Sequence, residues 1–96
     1  MSNTGVNAVT VLHLCFKLRI SPRAFLSNSR EAATMIASLE GLIWKIWIWR
    51  EEQSELGGIY LFSDRRAAEA YLSHPVIQAI SSNPAVVSTE SQLLGF

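Results

Sequence analysis

The sequence contains few of the residues that build covalent or metal-bound frameworks. It has one cysteine and two histidines among 96 residues. A single cysteine, Cys15, excludes an internal disulfide and fits a reducing compartment. The histidines and the cysteine lie far apart in sequence, so they do not have the ligand spacing of a zinc site. The glycine pair Gly57-Gly58 lies between two predicted strands rather than before a helix, which disfavours a phosphate-binding loop. The sequence therefore predicts no metal and no cofactor.

Charge is equally scarce. Only 17% of the residues are charged, and eight basic residues balance eight acidic ones. This balance creates no long-range field for nucleic acid or for an anionic membrane. Lys45 and Arg50 interrupt the most apolar segment, so no run is long enough to span a bilayer. The first ten residues have neither a basic start nor an apolar core, so no secretory signal is predicted. We expect a soluble, cytoplasmic protein.

Hydrophobic residues are abundant and make up 49% of the chain. We expect one domain over residues 1–96, with residues 1–8 as a loose tail. A domain of this size has little interior, so the surplus of apolar side chains predicts a surface that meets a partner chain or lines a pocket. A homodimer is the default partner, because two-fold self-association is the commonest oligomer.

The hydrophobic periodicity alternates between strand and helix patterns. Ser21-Pro22 predicts a helix start, and residues 27–30 are weak helix formers that favour a break. His74-Pro75 interrupts the second helical segment. The predicted elements are a strand over 9–20, a helix over 22–40, strands over 42–51 and 57–63, a helix from 65 to 72 with a further turn at 76–80, and a strand over 85–94.

This order predicts an α+β fold of the ferredoxin-like βαββαβ type. Its four-stranded antiparallel sheet carries the helices on one face and leaves the other face bare. Parity in the hairpin groups Trp44, Ile46, Ile48, Ile59 and Leu61 on one side. Because this set is wholly apolar, we expect it to face the helices, together with Leu12, Leu14 and Phe16. The bare face would then carry His13, Cys15, Lys17, Lys45, Trp47, Trp49, Tyr60 and Phe62.

Two segments carry a resemblance to a known family. Residues 41–47 read GLIWKIW, and residues 57–64 read GGIYLFSD. Together with the opening strand around His13 and the helix around Tyr71, they resemble the YdhR-like family of dimeric α+β barrels. The resemblance covers nearly the whole chain. It implies a homodimer and a monooxygenase-type activity on aromatic phenols that uses neither metal nor flavin.

Two candidate catalytic residues follow from the predicted bare face. His13 could act as the base that removes a phenolic proton, or it could be a half-buried histidine bonded to a neighbour. Lys45 could stabilise a phenolate by its positive charge. Alternatively, Lys45 extends its amine to the rim of the cavity or pairs with a carboxylate such as Glu90.

The remaining candidates would bind substrate. Trp47, Trp49 and Tyr60 could stack on a flat aromatic molecule, or they could seal a dimer interface. Phe62 and Cys15 would complete the cavity walls, with Cys15 as a small buried hydrophobe.

Three functions remain open on this evidence. The first is a cofactor-independent monooxygenase that acts on a small aromatic, phenolic or quinone-type compound between the sheets of a homodimer. The second is a non-enzymatic module that binds a hydrophobic small molecule in the same cavity. The third is a purely structural dimer whose bare faces fill each other and leave no pocket.

Overall fold

The computed structural model describes residues 9–27 and 30–95, and the side chains of these residues apart from 30–33. The predicted tail, residues 1–8, lies outside the described residues. A short 3-10 helix, Glu51–Gln53, joins the second and third strands. The elements in chain order are β1 (Thr10–Leu18), α1 (Pro22–Ser27), α2 (Arg30–Ala37), β2 (Leu42–Arg50), β3 (Glu55–Phe62), α3 (Arg65–Leu72), α4 (Pro75–Ser81) and β4 (Val86–Gly95).

Each predicted helical segment is divided into two helices. α1 ends at Ser27 and α2 begins at Arg30, so the predicted break falls on residues 28 and 29, which lie outside the described residues. The interruption at His74-Pro75 is confirmed, because the residue before a proline is disfavoured in helix. The His74 Nδ1 atom then caps α4 by accepting a hydrogen bond of 3.0 Å from the Val76 amide.

The four strands form one antiparallel sheet in the order β2-β3-β1-β4. Residues from all four helices pack with the buried side of β1, so the helices cover a single face of the sheet. The core formed in this way includes Leu12, Leu14, Phe25, Ile36, Tyr71 and Val76. The α+β ferredoxin-like fold is thereby confirmed. Within the described ranges, no helix is long and apolar enough to cross a membrane.

The pairing of β1 with β3 determines which side of the β2–β3 hairpin meets the helices. Trp44 lies opposite Leu61 and Ile46 opposite Ile59, so these residues share a face as predicted. However, Leu12 pairs with Tyr60, and neighbouring partners in a sheet point to the same side. Tyr60 therefore lies beneath the helices with Leu12, and the predicted orientation of the hairpin is wrong.

Solvent exposure agrees with this register. Tyr60 is 2% exposed and Phe62 is fully buried, whereas Trp44 is 44% and Ile46 is 49% exposed. Both sides of the hairpin are apolar, so hydrophobicity within the hairpin could not distinguish them. We call the helix-free side of the sheet the bare face. It carries Val11, His13, Cys15, Lys17, Trp44, Ile46, Ile48, Arg50, Glu55, Ile59, Leu61, Glu90 and Leu94.

Truncation of a core residue on the covered face should be costly. Leu14 is fully buried, so Leu14→Ala should lower the free energy of unfolding by about 2–5 kcal/mol. Val87 is 52% exposed, and Val87→Ala should change the free energy of unfolding by less than about 0.5 kcal/mol. Urea unfolding followed by tryptophan fluorescence measures both. Equal losses in the two variants would contradict the burial described above.

Candidate functional site

Lys45 projects from the edge strand β2 to the helix-covered side, where its amine is enclosed by aromatic rings. The Nζ atom lies 3.0 Å from the ring centroid of Trp47 and 4.6 Å from that of Tyr60. Nζ is buried and has no hydrogen-bond partner among the described residues. A buried amine without an acceptor is energetically costly, which makes Lys45 the most informative side chain in the protein.

Gly58 provides the space that this lysine occupies. It lies on β3 opposite Trp47 and beside Leu14 on β1. A Cβ at this position would lie 2.9 Å from Cε of Lys45 and 3.1 Å from Cε1 of Tyr60. The missing side chain therefore allows the lysine stem to lie inward over the sheet.

Three aromatic rings, those of Tyr60, Tyr71 and Phe62, form a buried cluster, and the Tyr60 ring lies next to the amine. The ring centroids of Tyr60 and Tyr71 are 4.9 Å apart, and those of Tyr60 and Phe62 are 6.0 Å apart. The two tyrosine hydroxyls share a buried hydrogen bond of 2.8 Å. Each buried phenol therefore satisfies the other, and the pair remains close to the lysine without binding it.

One cavity lies beside Lys45 and a second lies beside the ring cluster. The smaller has a volume of about 320 Å³ and is lined by Lys45 and Trp47 together with Ile36 of α2. The larger has a volume of about 550 Å³ and is lined by Phe62 and Tyr71 as well as by Met35, Asp64, Arg66 and His74. Mostly apolar walls with a few polar groups are typical of small-molecule sites.

Burial shifts the acid–base behaviour of these groups. Desolvation lowers the pKa of Lys45 from 10.5 to about 7, because the charged form loses its hydration. Desolvation also raises the pKa of Tyr71 to about 12. It raises the pKa of Tyr60 as well, where the neighbouring Tyr71 adds to the effect. At neutral pH the site therefore contains a partly neutral amine next to two protonated phenols.

The structure divides the predicted site residues between the two faces. Lys45, Trp47, Tyr60 and Phe62 come together beneath the helices. His13 and Cys15 lie on the bare face, separated from them by the sheet. The predicted single cavity that joins all of these residues between two sheets is therefore wrong in its geometry.

Trp49 is the one predicted aromatic residue that does not join the ring cluster. Because it lies opposite the buried Leu56, its side chain is on the covered side of the sheet. It lies near the end of β2 and is 54% exposed, so it contributes little to the ring cluster. The alternative ion pair between Lys45 and Glu90 is also wrong, because Glu90 pairs with Cys15 on the bare face.

His13 and Cys15 line two further cavities on the bare face, with volumes of about 290 and 360 Å³; Glu90 borders both and Gly57 borders the smaller. Burial raises the pKa of the Cys15 thiol, and the carboxylates of Glu55 and Glu90 add to this effect. The thiol therefore stays protonated at neutral pH, in keeping with a small hydrophobic side chain. Among residues 9–27 and 30–95, no three His, Cys, Asp or Glu side chains are placed to hold a metal ion.

The sequence interpretation did not place Tyr71 in the site. The available signal was its spacing from Ala68, since residues three apart share one face of a helix. Both residues are buried against the sheet. A phenol at such a core-facing position needs a buried hydrogen-bond partner, and the nearest phenol in the sequence is Tyr60.

Solved structures with the same fold cover nearly the whole chain. A protein of unknown function from Nitrosomonas europaea, NE2512, has a TM-score of 0.77 at 14% identity, over 94% of this chain and 90% of that one. SnoaB, a cofactor-independent oxygenase from Streptomyces nogalater, has a TM-score of 0.70 at 17% identity, over 91% of each chain.

A third similar structure is a monooxygenase from the gene ActVA-Orf6 of Streptomyces coelicolor, in complex with the ligand Nanaomycin D. It has a TM-score of 0.72 at 11% identity, over 94% of this chain and 88% of that one. At these identities the likeness establishes the fold. No curated protein sequence matches the chain.

A protein family matches the sequence itself. The match covers residues 11–94, from the second residue of β1 almost to the end of β4, and the family is described as "Putative mono-oxygenase ydhR". It confirms the resemblance seen in the segments GLIWKIW and GGIYLFSD. The chain belongs to the ydhR mono-oxygenase family.

Proposed function

We propose that the protein is a cofactor-independent monooxygenase that oxidises a small aromatic phenol on the helix-covered side of its sheet. The observation that carries this proposal is the buried amine of Lys45, which has no hydrogen-bond partner among the described residues. Membership in a family of mono-oxygenases supports the reaction type. The similar structure that is described as a cofactor-independent oxygenase agrees with it.

Lys45 is the group that can remove the phenolic proton. A substrate hydroxyl that approaches Nζ would transfer its proton to the neutral amine, forming a phenolate next to an ammonium group. This ion pair compensates both charges in an apolar site. The electron-rich phenolate then reacts with dioxygen. Overall, one phenol and one dioxygen give one quinone and one water, so the reaction balances without an added reductant.

The aromatic rings would orient the substrate. Trp47 lines the smaller cavity together with Lys45, and Tyr60 presents its ring to the same amine. A flat molecule stacked on Trp47 in this cavity would have its hydroxyl beside the Lys45 side chain, and the buried ring of Tyr60 shields Nζ on its other side. Of the residues predicted from sequence, Lys45, Trp47 and Tyr60 serve this proposal.

A binding module without turnover is the second candidate. It is favoured by the satisfied pair of hydroxyls on Tyr60 and Tyr71, which leaves few polar groups free to take part in a reaction. In that case hydrophobic compounds would quench tryptophan fluorescence and would be recovered unchanged after aerobic incubation.

Oxygen consumption tests the enzyme proposal. With a panel of naphthols and hydroxyanthracenes, the wild-type protein should consume oxygen. Lys45→Met should reduce the rate about 100-fold or more, since a positioned base contributes about 10²–10⁴-fold. Lys17→Met, which removes an exposed lysine from the other face, is the matched control and should keep the wild-type rate.

A histidine variant distinguishes the two faces. His13→Ala should also keep the wild-type rate if the reaction takes place beneath the helices. A loss of activity in His13→Ala with full activity in Lys45→Met would move the site to the bare face. No oxygen uptake across the whole panel would remove the enzyme proposal.

The pH dependence of stability tests the state of Lys45. Its pKa is about 7 in the folded protein and 10.5 as a free side chain, so between these values the unfolded chain binds more protons and stability rises with pH. One pKa unit corresponds to about 1.4 kcal/mol, and residual solvation of the half-buried stem reduces the total. Relative to Lys45→Met, the wild-type protein should therefore gain stability from pH 7 to 9.5.

This comparison isolates the lysine, because Cys15, Tyr60 and Tyr71 are present in both proteins. Their own titrations cancel in the difference between the two free energies of unfolding. Urea titrations at pH 7, 8 and 9.5 provide the measurement. A constant difference across this range would show that Lys45 titrates as an ordinary surface lysine.

We also propose that two copies of the chain associate through their bare faces. Four large apolar side chains of this face are exposed by 36 to 50%, namely Trp44, Ile46, Ile48 and Leu94. A contiguous apolar surface of this kind is typical of an interface. In a two-fold dimer the same surface of each copy meets itself. The bare face carries charges of both signs, so basic groups of one copy can lie opposite acidic groups of the other; these charges are on Lys17, Arg50, Glu55 and Glu90.

A charge placed on the bare face should disrupt this dimer. Ile46→Asp would bury a carboxylate against apolar side chains of the second copy, so it should convert a dimer into a monomer. Ile20→Asp is the control, because Ile20 is 39% exposed but lies beyond the end of β1. Light scattering coupled to gel filtration gives the mass. A monomeric wild-type protein would contradict the proposal.

A further inference from the structure

The two lysines of the chain, Lys17 and Lys45, occupy opposite environments. Lys17 is exposed on the bare face near the end of β1. Lys45 is directed inward, and no described donor or acceptor binds its Nζ atom. When the amine is neutral, an N–H can point at the face of the Trp47 ring while the nitrogen lone pair stays free. A free lone pair on a buried primary amine is an available nucleophile.

A cavity lies next to this nucleophile. Lys45 and Trp47 line a space of about 320 Å³, whose other walls include Ile36 and Leu42. This volume is at the lower end of the range for ligand pockets, which suits a molecule with one or two fused rings. No hydrogen bond or ion pair among the described residues holds Nζ against Trp47, so rotation of the side chain can turn the amine toward the cavity.

We propose that Lys45 captures aromatic aldehydes covalently, as a reversible imine formed between Nζ and the carbonyl carbon. The nitrogen lone pair forms the new C–N bond while the C=O π electrons move to oxygen. The amine then transfers a proton to that oxygen, giving a neutral carbinolamine. The C–O bond then breaks as the nitrogen lone pair forms the C=N bond, and the remaining N–H proton goes to the departing hydroxyl, which leaves as water. The carbonyl carbon keeps its oxidation level, so no oxidant or reductant is needed.

The surroundings favour each step of this capture. The fall in the pKa of Lys45 to about 7 leaves a large fraction of the amine unprotonated at neutral pH. The ring of Trp47, which lines this cavity, offers a stacking surface for the aromatic ring of the aldehyde.

Reductive trapping with 1-naphthaldehyde and sodium cyanoborohydride tests the proposal on the intact protein. Peptide mapping by mass spectrometry should locate the naphthylmethyl group on Lys45 at pH 7. The labelling rate there should be at least about tenfold higher at Lys45 than at Lys17, because the buried Lys45 amine is unprotonated in a large fraction of molecules. Lys17→Arg should keep the label, and both Lys45→Arg and Lys45→Met should lose it.

Three outcomes would overturn this inference. They are equal labelling of the two lysines, labelling of Lys45 only above pH 9, and labelling at Lys17 or the terminal amine alone. Because the wild-type protein carries both lysines, the comparison does not depend on whether a Lys45 variant folds.

The proposed capture of aldehydes goes beyond the proposed oxygenase activity, and either proposal can be rejected without the other. 1-Naphthaldehyde has no phenolic hydroxyl, so its trapping does not depend on proton abstraction or on oxygen. Lys45-dependent oxygen uptake without labelling would overturn the capture site and leave the oxygenase intact. Labelling in a protein that consumes no oxygen would support the capture site and remove the oxygenase.

Discussion

The antiparallel pairing of β1 with β3 is the constraint on which the rest of the structure depends. It places Leu12 beside Tyr60 and Leu14 beside Gly58, so it directs one side of the β2–β3 hairpin toward the helices. The hairpin alone is compatible with either orientation, because both of its sides are apolar. A shift of one residue in this register would exchange the two sides, exposing the tyrosine cluster and burying Ile46 and Trp44.

Burial of Lys45 is a direct consequence of that register. The edge strand β2 presents Lys45 and Trp47 to the covered side. The missing side chain at Gly58 leaves room for the lysine stem. The cost of desolvating an amine is met partly by the ring faces and partly by loss of its proton. The fold thus holds an amine without a hydrogen-bond partner among the described residues on the side of the sheet that carries the core.

The two faces of the sheet therefore have different roles in the proposals. The covered face contains the amine, the rings and two cavities, and the residues proposed to react all lie within one chain. The bare face is apolar along β2 and β3, around Ile46 and Ile59, and charged toward the end that carries Lys17. It fits association with a second copy, and this association is independent of the residues proposed to react. This division explains why His13 and Lys45, which the sequence analysis placed together, are separated.

Much of the fold follows from the sequence alone. Alternation in the strands, the Ser21-Pro22 start, the break at His74-Pro75 and the parity within the hairpin each depend on neighbours close in sequence, and these local preferences persist in the folded chain. The segments GLIWKIW and GGIYLFSD were sufficient to indicate the family. The covered side of the hairpin, the contact between Tyr60 and Tyr71 and the burial of Lys45 were decided only by tertiary structure. They depend on how strands distant in sequence are aligned, and two equally apolar faces carry no local signal that could choose between them.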